Sequence, residues 1–339
     1  MQYSAFMNEY MRLGHCVKVE DFGSPGFYLP HHAILKPSSS TTKLRVVFDA
    51  SSRSDTNVSL NDVLMKGPTI QDTLASIVLR ARKYKFLFSA DVIKMFRQIR
   101  VDDKDTCYLR VLYREDPQAK LDVFELKTVT YGTSCAPFCA TACLKQLAIE
   151  EEKEYPLGAR VAKNDFYMDD AITGANTIEE ALECQSQLIK LLKRGGFELH
   201  KWCANAPELL QAIPEPDREQ QVKIEDSEFN DVIKTLGLLW DSSNDVFLFK
   251  IHSSSEPPVN YTKRIVLSET AKIFDPLGLL EPVTILAKLF IQQLWSLELP
   301  WDEPLPTELE ADWRRFKNQL KQINEIKIVR CVVAEDAET

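Results

Sequence analysis

Apolar positions change period several times along this 339-residue chain. Residues 44–50 (LRVVFDA) and 86–91 (FLFSAD) are short apolar runs of strand length, the second ending on an acid. Between them Ile70, Leu74, Ile77, Val78 and Ala81 recur at helical spacing, which predicts a helix over 69–84. Residues 107–113 and 123–128 read as a strand pair around a turn at Asp116-Pro117, and 137–151 as a helix. Residues 165–174 read as strand, tight turn, strand. An amphipathic helix over 178–195 follows, stopped by Gly195-Gly196. A proline-rich, acidic stretch over 207–231 breaks the pattern and marks a domain boundary. Beyond it, 234–240 and 245–251 predict a strand pair across the polar turn 241–244, followed by helices over 262–274, 283–297 and 307–323. Strands mixed with helices first and helices later predict an α+β body with a helical appendage.

Composition adds little to this outline: 45% hydrophobic and 27% charged residues are ordinary for a chain with a sizeable core. There is no apolar run long enough for a transmembrane helix, and residues 1–15 lack a secretory signal, so an intracellular, membrane-free setting is expected. Eight scattered cysteines suggest free thiols in a reducing compartment. Cys135, Cys139 and Cys143 fall on one face of the helix expected there, and the reading is of small buried core residues. A net charge of −9 argues weakly against a polyanionic partner, yet the charge is segregated. Seven basic residues lie between Arg80 and Arg100 with Asp91 as the one acid, whereas 215–231 holds seven acids and two bases. Local field matters more than net charge where a polyanion approaches a cleft. A solvated helix face is the plain alternative for the basic cluster.

The candidate chemistry lies in three acids. Phosphoryl transfer to a sugar hydroxyl uses two divalent ions held by hard carboxylate oxygens on rigid elements. Asp91 ends an apolar strand, and Asp169-Asp170 sit inside Phe166-Tyr167-Met168-Asp169-Asp170-Ala171-Ile172, between apolar flanks. On a flat strand two neighbouring acids point to opposite faces; at a hairpin turn both can stand near a neighbouring strand end. A lone Asp-Asp pair is commonly a solvated turn, so the pair gains weight only jointly with other motifs.

Those motifs occur together and in order. Tyr167-Met168-Asp169-Asp170 resembles the signature of reverse transcriptases, and Phe96, five residues after Asp91, resembles the family's aromatic steric gate. Tyr131-Gly132-Thr133-Ser134-Cys135-Ala136-Pro137 is similar to its nucleotide- and template-contacting segment, with Gly132, Ala136 and Pro137 on the key positions. Gly196-Phe197-Glu198-Leu199 followed by Lys201-Trp202 resembles the motif whose lysine assists pyrophosphate departure, and Leu236-Gly237-Leu238-Leu239-Trp240 resembles the primer grip. Upstream, Leu44-Arg45-Val46-Val47-Phe48-Asp49 resembles the fingers strand whose arginine holds the triphosphate, with Lys36 or Lys43 as partner. The spelling of 45–51, 165–174 and 268–282 is similar to the BEL/Pao class of long-terminal-repeat retrotransposons, over about residues 25–300.

The resemblance implies a right-hand polymerase: an N-terminal extension (1–24), fingers and an antiparallel palm sheet with helices (25–229), a primer grip and mostly helical thumb or connection region (230–325), and a tail (326–339). It implies an RNA-directed DNA polymerase fragment of a retrotransposon polyprotein, in cytoplasmic retroelement particles. Asp91, Asp169 and Asp170 would be metal ligands for two Mg²⁺ ions, with Mn²⁺ as the alternative, and Asp170 the more peripheral. Lys201 would complete the catalytic set. Arg45, Lys36, Phe96, Tyr131, Gly132 and Pro137 would bind the nucleotide; Leu236, Gly237 and Trp240 would form the primer grip. Its partners would be a primed RNA or DNA template, deoxynucleoside triphosphates, and the polyprotein's protease, RNase H and integrase. No zinc-finger, RNase H or integrase pattern is legible in the letters, and no Asp-Thr-Gly or Asp-Ser-Gly triplet occurs, which sets aside an aspartic peptidase. The other reading is an inactive or truncated remnant that at most binds nucleic acid. Lys263, Arg264 and Lys272, placed to share a helix face, would track the duplex phosphates.

Overall fold

A computed structural model of the chain describes residues 2–20, 23, 25–35, 44–219, 232–251 and 258–333. Its elements open with α1 (Gln2–Arg12), β1 (Cys16–Val19), β2 (His31–Leu35), β3 (Leu44–Phe48), α2 (Leu60–Val63) and α3 (Leu74–Ala81). They continue through β4 (Phe86–Val92), β5 (Arg110–Tyr113), β6 (Asp122–Leu126), α4 (Ala136–Glu150) and α5 (Pro156–Asn164). Next come β7 (Phe166–Tyr167), β8 (Asp170–Ala175), α6 (Ile178–Arg194), β9 (Leu199–Ala204) and α7 (Glu208–Gln211). The described chain ends with β10 (Val232–Thr235), β11 (Leu238–Asp241), β12 (Val246–Leu248), α8 (Lys263–Thr270), α9 (Glu281–Ser296), α10 (Thr307–Leu320) and β13 (Lys327–Val329). The α+β class is therefore present. Among the described residues no helix is long and apolar enough to cross a membrane.

Two compact units divide the chain, each built from three stretches. The first takes Met1–Gln71, Val92–Asn164 and Ser186–Glu198. It holds an antiparallel sheet in the order β1-β6-β5, the antiparallel pair β2-β3, and a core of Met7, Tyr10, Leu29, Val46, Phe48, Val111 and Leu126. Gly132 sits against the end of β3 with φ +98°, where an added Cβ would lie 2.1 Å from the Phe48 carbonyl oxygen. Both the torsion and the close approach require glycine.

The second unit takes Asp72–Asp91, Asp165–Gln185 and Leu199–Thr339. One sheet runs β7-β8-β4-β9, another β10-β11-β12-β13. α3 begins later than the periodicity suggests because Thr73 caps it, its hydroxyl accepting from the Ser76 N–H. Ile77, Val78, Leu87, Ile172, Cys203, Trp240 and Phe247 form the core between these elements. α8, α9 and α10 close on a separate cluster of Tyr261, Val266, Ala287, Leu294 and Trp313.

Two expectations need correction. Residues 234–240 are not one strand: Leu236 (φ +49°) and Gly237 (φ +83°) make a tight turn between β10 and β11, the geometry of a two-residue hairpin with both centres left-handed. A leucine in the first of these places conceals the turn from composition-based reading. The second correction concerns the cysteines. Cys135 and Cys139 are half-exposed and Cys143 exposed, because Ala136, Ala140 and Leu144, each one residue on, take the core side of α4 together with Ala148. The common face was legible; its direction was not.

Residues 327–333, read from the sequence as the start of a tail, include β13, which pairs antiparallel with β12. The next residue, Arg330, is wholly buried. Its guanidinium donates to both Asp245 carboxylate oxygens at 2.6 Å and to the carbonyls of Ala81, Tyr84 and Lys85. Asp245 also accepts from the Trp240 indole and the Asn205 amide. Removing one partner of a buried, fully hydrogen-bonded ion pair strands the other charge. Arg330→Met should therefore cost about 3–5 kcal/mol of unfolding free energy. Arg330→Met combined with Asp245→Leu should cost less than the sum of the single changes. Urea denaturation of the three variants checks both statements.

Candidate active site

The candidate site is built on the sheet of the second unit. β8 pairs antiparallel with β4, and the register sets Asp170 opposite Asp91, Ala171 opposite Ala90 and Ile172 opposite Ser89. β7 returns along the other edge of β8 with Tyr167 opposite Asp170, leaving Met168 and Asp169 as a two-residue turn. Met168 takes φ +57°, a place such hairpins usually give to glycine or asparagine. The strained turn brings both neighbouring acids toward the end of β4, which a flat strand would not do.

Charge balance at the three carboxylates is uneven. Burial alone would push the Asp91 carboxyl up, but hydrogen bonds and charge from His200 and Lys201 overcome it and hold the group below the usual carboxylate range. Asp169 is pushed up by burial and by the Asp91 charge. Asp170 is pushed up to about 7 by burial, then by Asp169 and Asp91. The Lys201 ammonium donates to Asp91, and this pairing, against the cost of burial, raises its pKa. Hard oxygen donors with unneutralised negative charge are a suitable donor set for a divalent ion. Among the described residues, however, no three His, Cys, Asp or Glu side chains are gathered as a ready-made metal site. The acids sense one another, and Lys201 and His200 already claim Asp91.

Asp91, Asp169, Asp170 and Lys201 are thus brought together in the second unit. Arg45, Phe96, Tyr131, Gly132 and Pro137 belong to the first. There, Arg45 is exposed on β3, the strand whose Phe48 ring lies tilted against Tyr131 (ring centroids 5.3 Å) and whose end receives Gly132. Asn61 ties this segment down, donating to the Gly132 carbonyl and accepting from the Ser134 N–H. Phe96 is half-buried in a 3-10 turn (Met95–Gln98), and Pro137 is exposed in the first turn of α4. Lys36 and Lys43 lie outside the described residues.

In the hairpin region Leu236 packs on the core, Gly237 lies against the Phe274 ring, and Trp240 is fully buried. Trp240 therefore supports the hairpin from inside. Much of the basic cluster is also committed inside the protein: Arg80 to Asp72 and Asp165, Arg82 to the carbonyls of Val329 and Arg330, Lys94 and Arg97 to Glu9. On α8, Arg264 pairs with Asp302 and Lys263 donates to the Leu299 carbonyl, while Lys272 is exposed just beyond the helix. Sequence reasoning missed His200, whose Nε2 lies 3.4 Å from Asp91 Oδ1. Strand alternation places His200 and Lys201 on opposite faces, and that rule hid it.

Comparison with known proteins bears on this geometry. Residues 262–339 match a family described as the Pao retrotransposon-like RNaseH-like domain. The description falls on the helices read above as a thumb, where the letters gave no RNase H pattern. No curated protein matches the sequence. A solved structure of the foamy viral protease-reverse transcriptase dRH in complex with double-stranded DNA superposes with a TM-score of 0.60 at 14% identity. The match covers 94% of this chain and 47% of that one, so the chain spans about half the length of its structural relative. The C-terminal portion is thus Pao retrotransposon-like, and the α+β fold is similar to that of a retroviral polymerase region.

The repulsion at Asp170 has a consequence for stability. Its folded pKa lies above its unfolded value, so its relative stability is full below pH 4 and is lost as pH rises to about 7. Asp170→Asn should raise the melting temperature by several degrees at pH 8 in EDTA and by much less at pH 5. Adding MgCl₂ at pH 8 should shrink the difference. Differential scanning fluorimetry of both proteins in the three buffers tests this.

Proposed function

We propose that this chain is the reverse transcriptase region of a Pao-like retroelement polyprotein, extending a primer on an RNA or DNA template from deoxynucleoside triphosphates. The supporting observation is the register of β8 on β4, which sets Asp170 opposite Asp91 and carries a strained turn presenting Asp169. Asp91, Asp169 and Asp170 would hold the two magnesium ions, or manganese in their place. When bound, those ions activate the primer hydroxyl and neutralise the leaving pyrophosphate.

The remaining roles belong to the chain's own groups. Arg45 offers a planar, permanently charged fork to the triphosphate. Tyr131, Gly132 and Pro137 back the nucleotide, with Gly132 fixed by its contact with the Phe48 carbonyl. Lys201 delivers a proton toward the departing pyrophosphate. Leu236 and Gly237 present the primer-grip turn, with Trp240 bracing it from the core. On this reading β4, β7, β8 and β9 are the palm, and α8–α10 the thumb or connection region. The protein would act within a cytoplasmic retroelement particle beside the polyprotein's protease, RNase H and integrase.

A chain that binds nucleic acid without polymerising is the second reading, favoured by the lack of a gathered three-ligand group among the described residues.

Primer extension on poly-rA/oligo-dT with Mg²⁺ separates the two. The wild-type chain should extend the primer, and Asp169→Asn should lose roughly a thousandfold or more of that rate, several kcal/mol of transition-state stabilisation. Duplex binding with no extension by the wild type selects the second reading. Phe96→Ala should raise the ratio of rGTP to dGTP incorporation while leaving deoxynucleotide use largely intact. An unchanged ratio removes Phe96 from the nucleotide site.

A further inference from the structure

His200 and Lys201 are consecutive residues of β9, yet both side chains reach the same carboxylate. Nε2 of His200 stands 3.4 Å from one Asp91 oxygen, and the Lys201 ammonium donates to the other. In regular strand geometry neighbours point to opposite faces, so two adjacent residues cannot share one partner. The backbone resolves this by turning left-handed at Lys201, φ +51°. A non-glycine residue there is strained, and such strain persists only where surrounding contacts over-determine it. Among the contacts around this kink are those that His200 and Lys201 make with Asp91.

Both side chains are partly exposed, at 28% for His200 and 35% for Lys201, whereas Asp91 is 16% exposed. Two partly exposed side chains therefore reach one largely sheltered carboxylate. Asp169 and Asp170, by contrast, are pushed up by burial and by the neighbouring carboxylates, which outweigh a backbone hydrogen bond at Asp169 and the attraction of Lys201. The Lys201 ammonium is held on one of the three acids.

We propose that His200 and Lys201 form a counter-cation latch on Asp91: they hold its carboxylate in the metal-free protein, and a divalent ion engages Asp91 only by displacing the Lys201 ammonium. This rests on the metal-binding reading of the three acids and deepens it. It assigns His200 a positioning role, and it gives Lys201 a resting place from which displacement frees it toward the nucleotide.

Two measurements on the full chain test the latch. In EDTA, urea unfolding of wild type, Asp91→Asn, Lys201→Met and the double variant forms a cycle. The latch requires clear non-additivity between the two positions, and additive effects overturn it. In the second measurement, free Mn²⁺ is followed by electron paramagnetic resonance during titration of wild type, Lys201→Met and His200→Asn.

Removing the ammonium should tighten Mn²⁺ binding about tenfold, the ratio expected for losing one charge-assisted hydrogen bond that competes with the ion. His200→Asn should shift affinity the same way by a smaller factor. Unchanged or weaker Mn²⁺ binding in Lys201→Met overturns the latch while leaving the metal site standing. No Mn²⁺ uptake by any of the proteins overturns the latch and the metal reading together. Neither measurement depends on polymerisation.

Discussion

Everything at the candidate site hangs on one strand register. β8 lies against β4 so closely that a Cβ on Gly174 would meet the Phe86 carbonyl oxygen at 2.0 Å. Only glycine fits, and its place opposite Leu87 pins the pairing. Because side chains alternate with a period of two, a one-residue slip would swing Ile172 out of the core and carry Asp170 away from Asp91. The core and the acids are thus set by the same hydrogen-bond ladder. Asp165 reinforces it from the side: nearly fully buried, it accepts from the Arg80 guanidinium and from Thr173 on β8. An acid four residues from the paired aspartates therefore serves structure alone, and its neighbours are available for chemistry.

The parts legible in the sequence were those that local rules control. The apolar strand that ends on Asp91, the glycine stop after α6 and the apolar flanks of Asp169-Asp170 all write themselves into short windows. The parts that were hidden depend on backbone torsions that residue type opposes, or on partners far along the chain. Leu236, Met168 and Lys201 adopt left-handed torsions that composition assigns to glycine or asparagine. The turn at Leu236 and the kink at Lys201 were therefore unseen, whereas the turn at Met168 was legible only from the paired acids and their apolar flanks. Arg330 could not be read as a core residue, since an isolated arginine near a charged tail looks solvated. Its partners lie 85 to 249 positions away. The cysteine stripe shows the limit in another form: period identifies a face, but only packing says which way the face looks.

The distribution of charge changes meaning once partners are known. Between Arg80 and Arg100 the cluster looked like a field for a polyanion, but Arg80, Arg82, Lys94 and Arg97 are held by protein carboxylates or carbonyls. Such pairs fix geometry more than they project potential. The acids at the site show the opposite economy. Asp169 and Asp170 are kept close to Asp91 against their mutual repulsion, with strain at Met168 and Lys201 added. A protein tolerates such a concentration of unfavourable terms where the arrangement itself is useful.

The C-terminal region can be judged by the same standard. Its family description names an RNase H-like domain over residues 262–339. Within the described part, α8, α9 and α10 gather their own core around Trp313, which looks like the centre of a separate body. Yet β13, which follows them, is the fourth strand of a sheet begun at β10, thirty residues before the match starts. Arg330 then ties that strand to Asp245 and to the backbone after α3. A segment whose last strand completes another segment's sheet, and whose neighbouring arginine is buried in that segment's core, has no boundary at residue 262 in the physical sense. The helices have a core of their own but not an edge of their own. The same sheet presents the Leu236-Gly237 turn, so the matched region braces the hairpin proposed as the primer grip. The matched helices and the sheet they follow are therefore one physical unit.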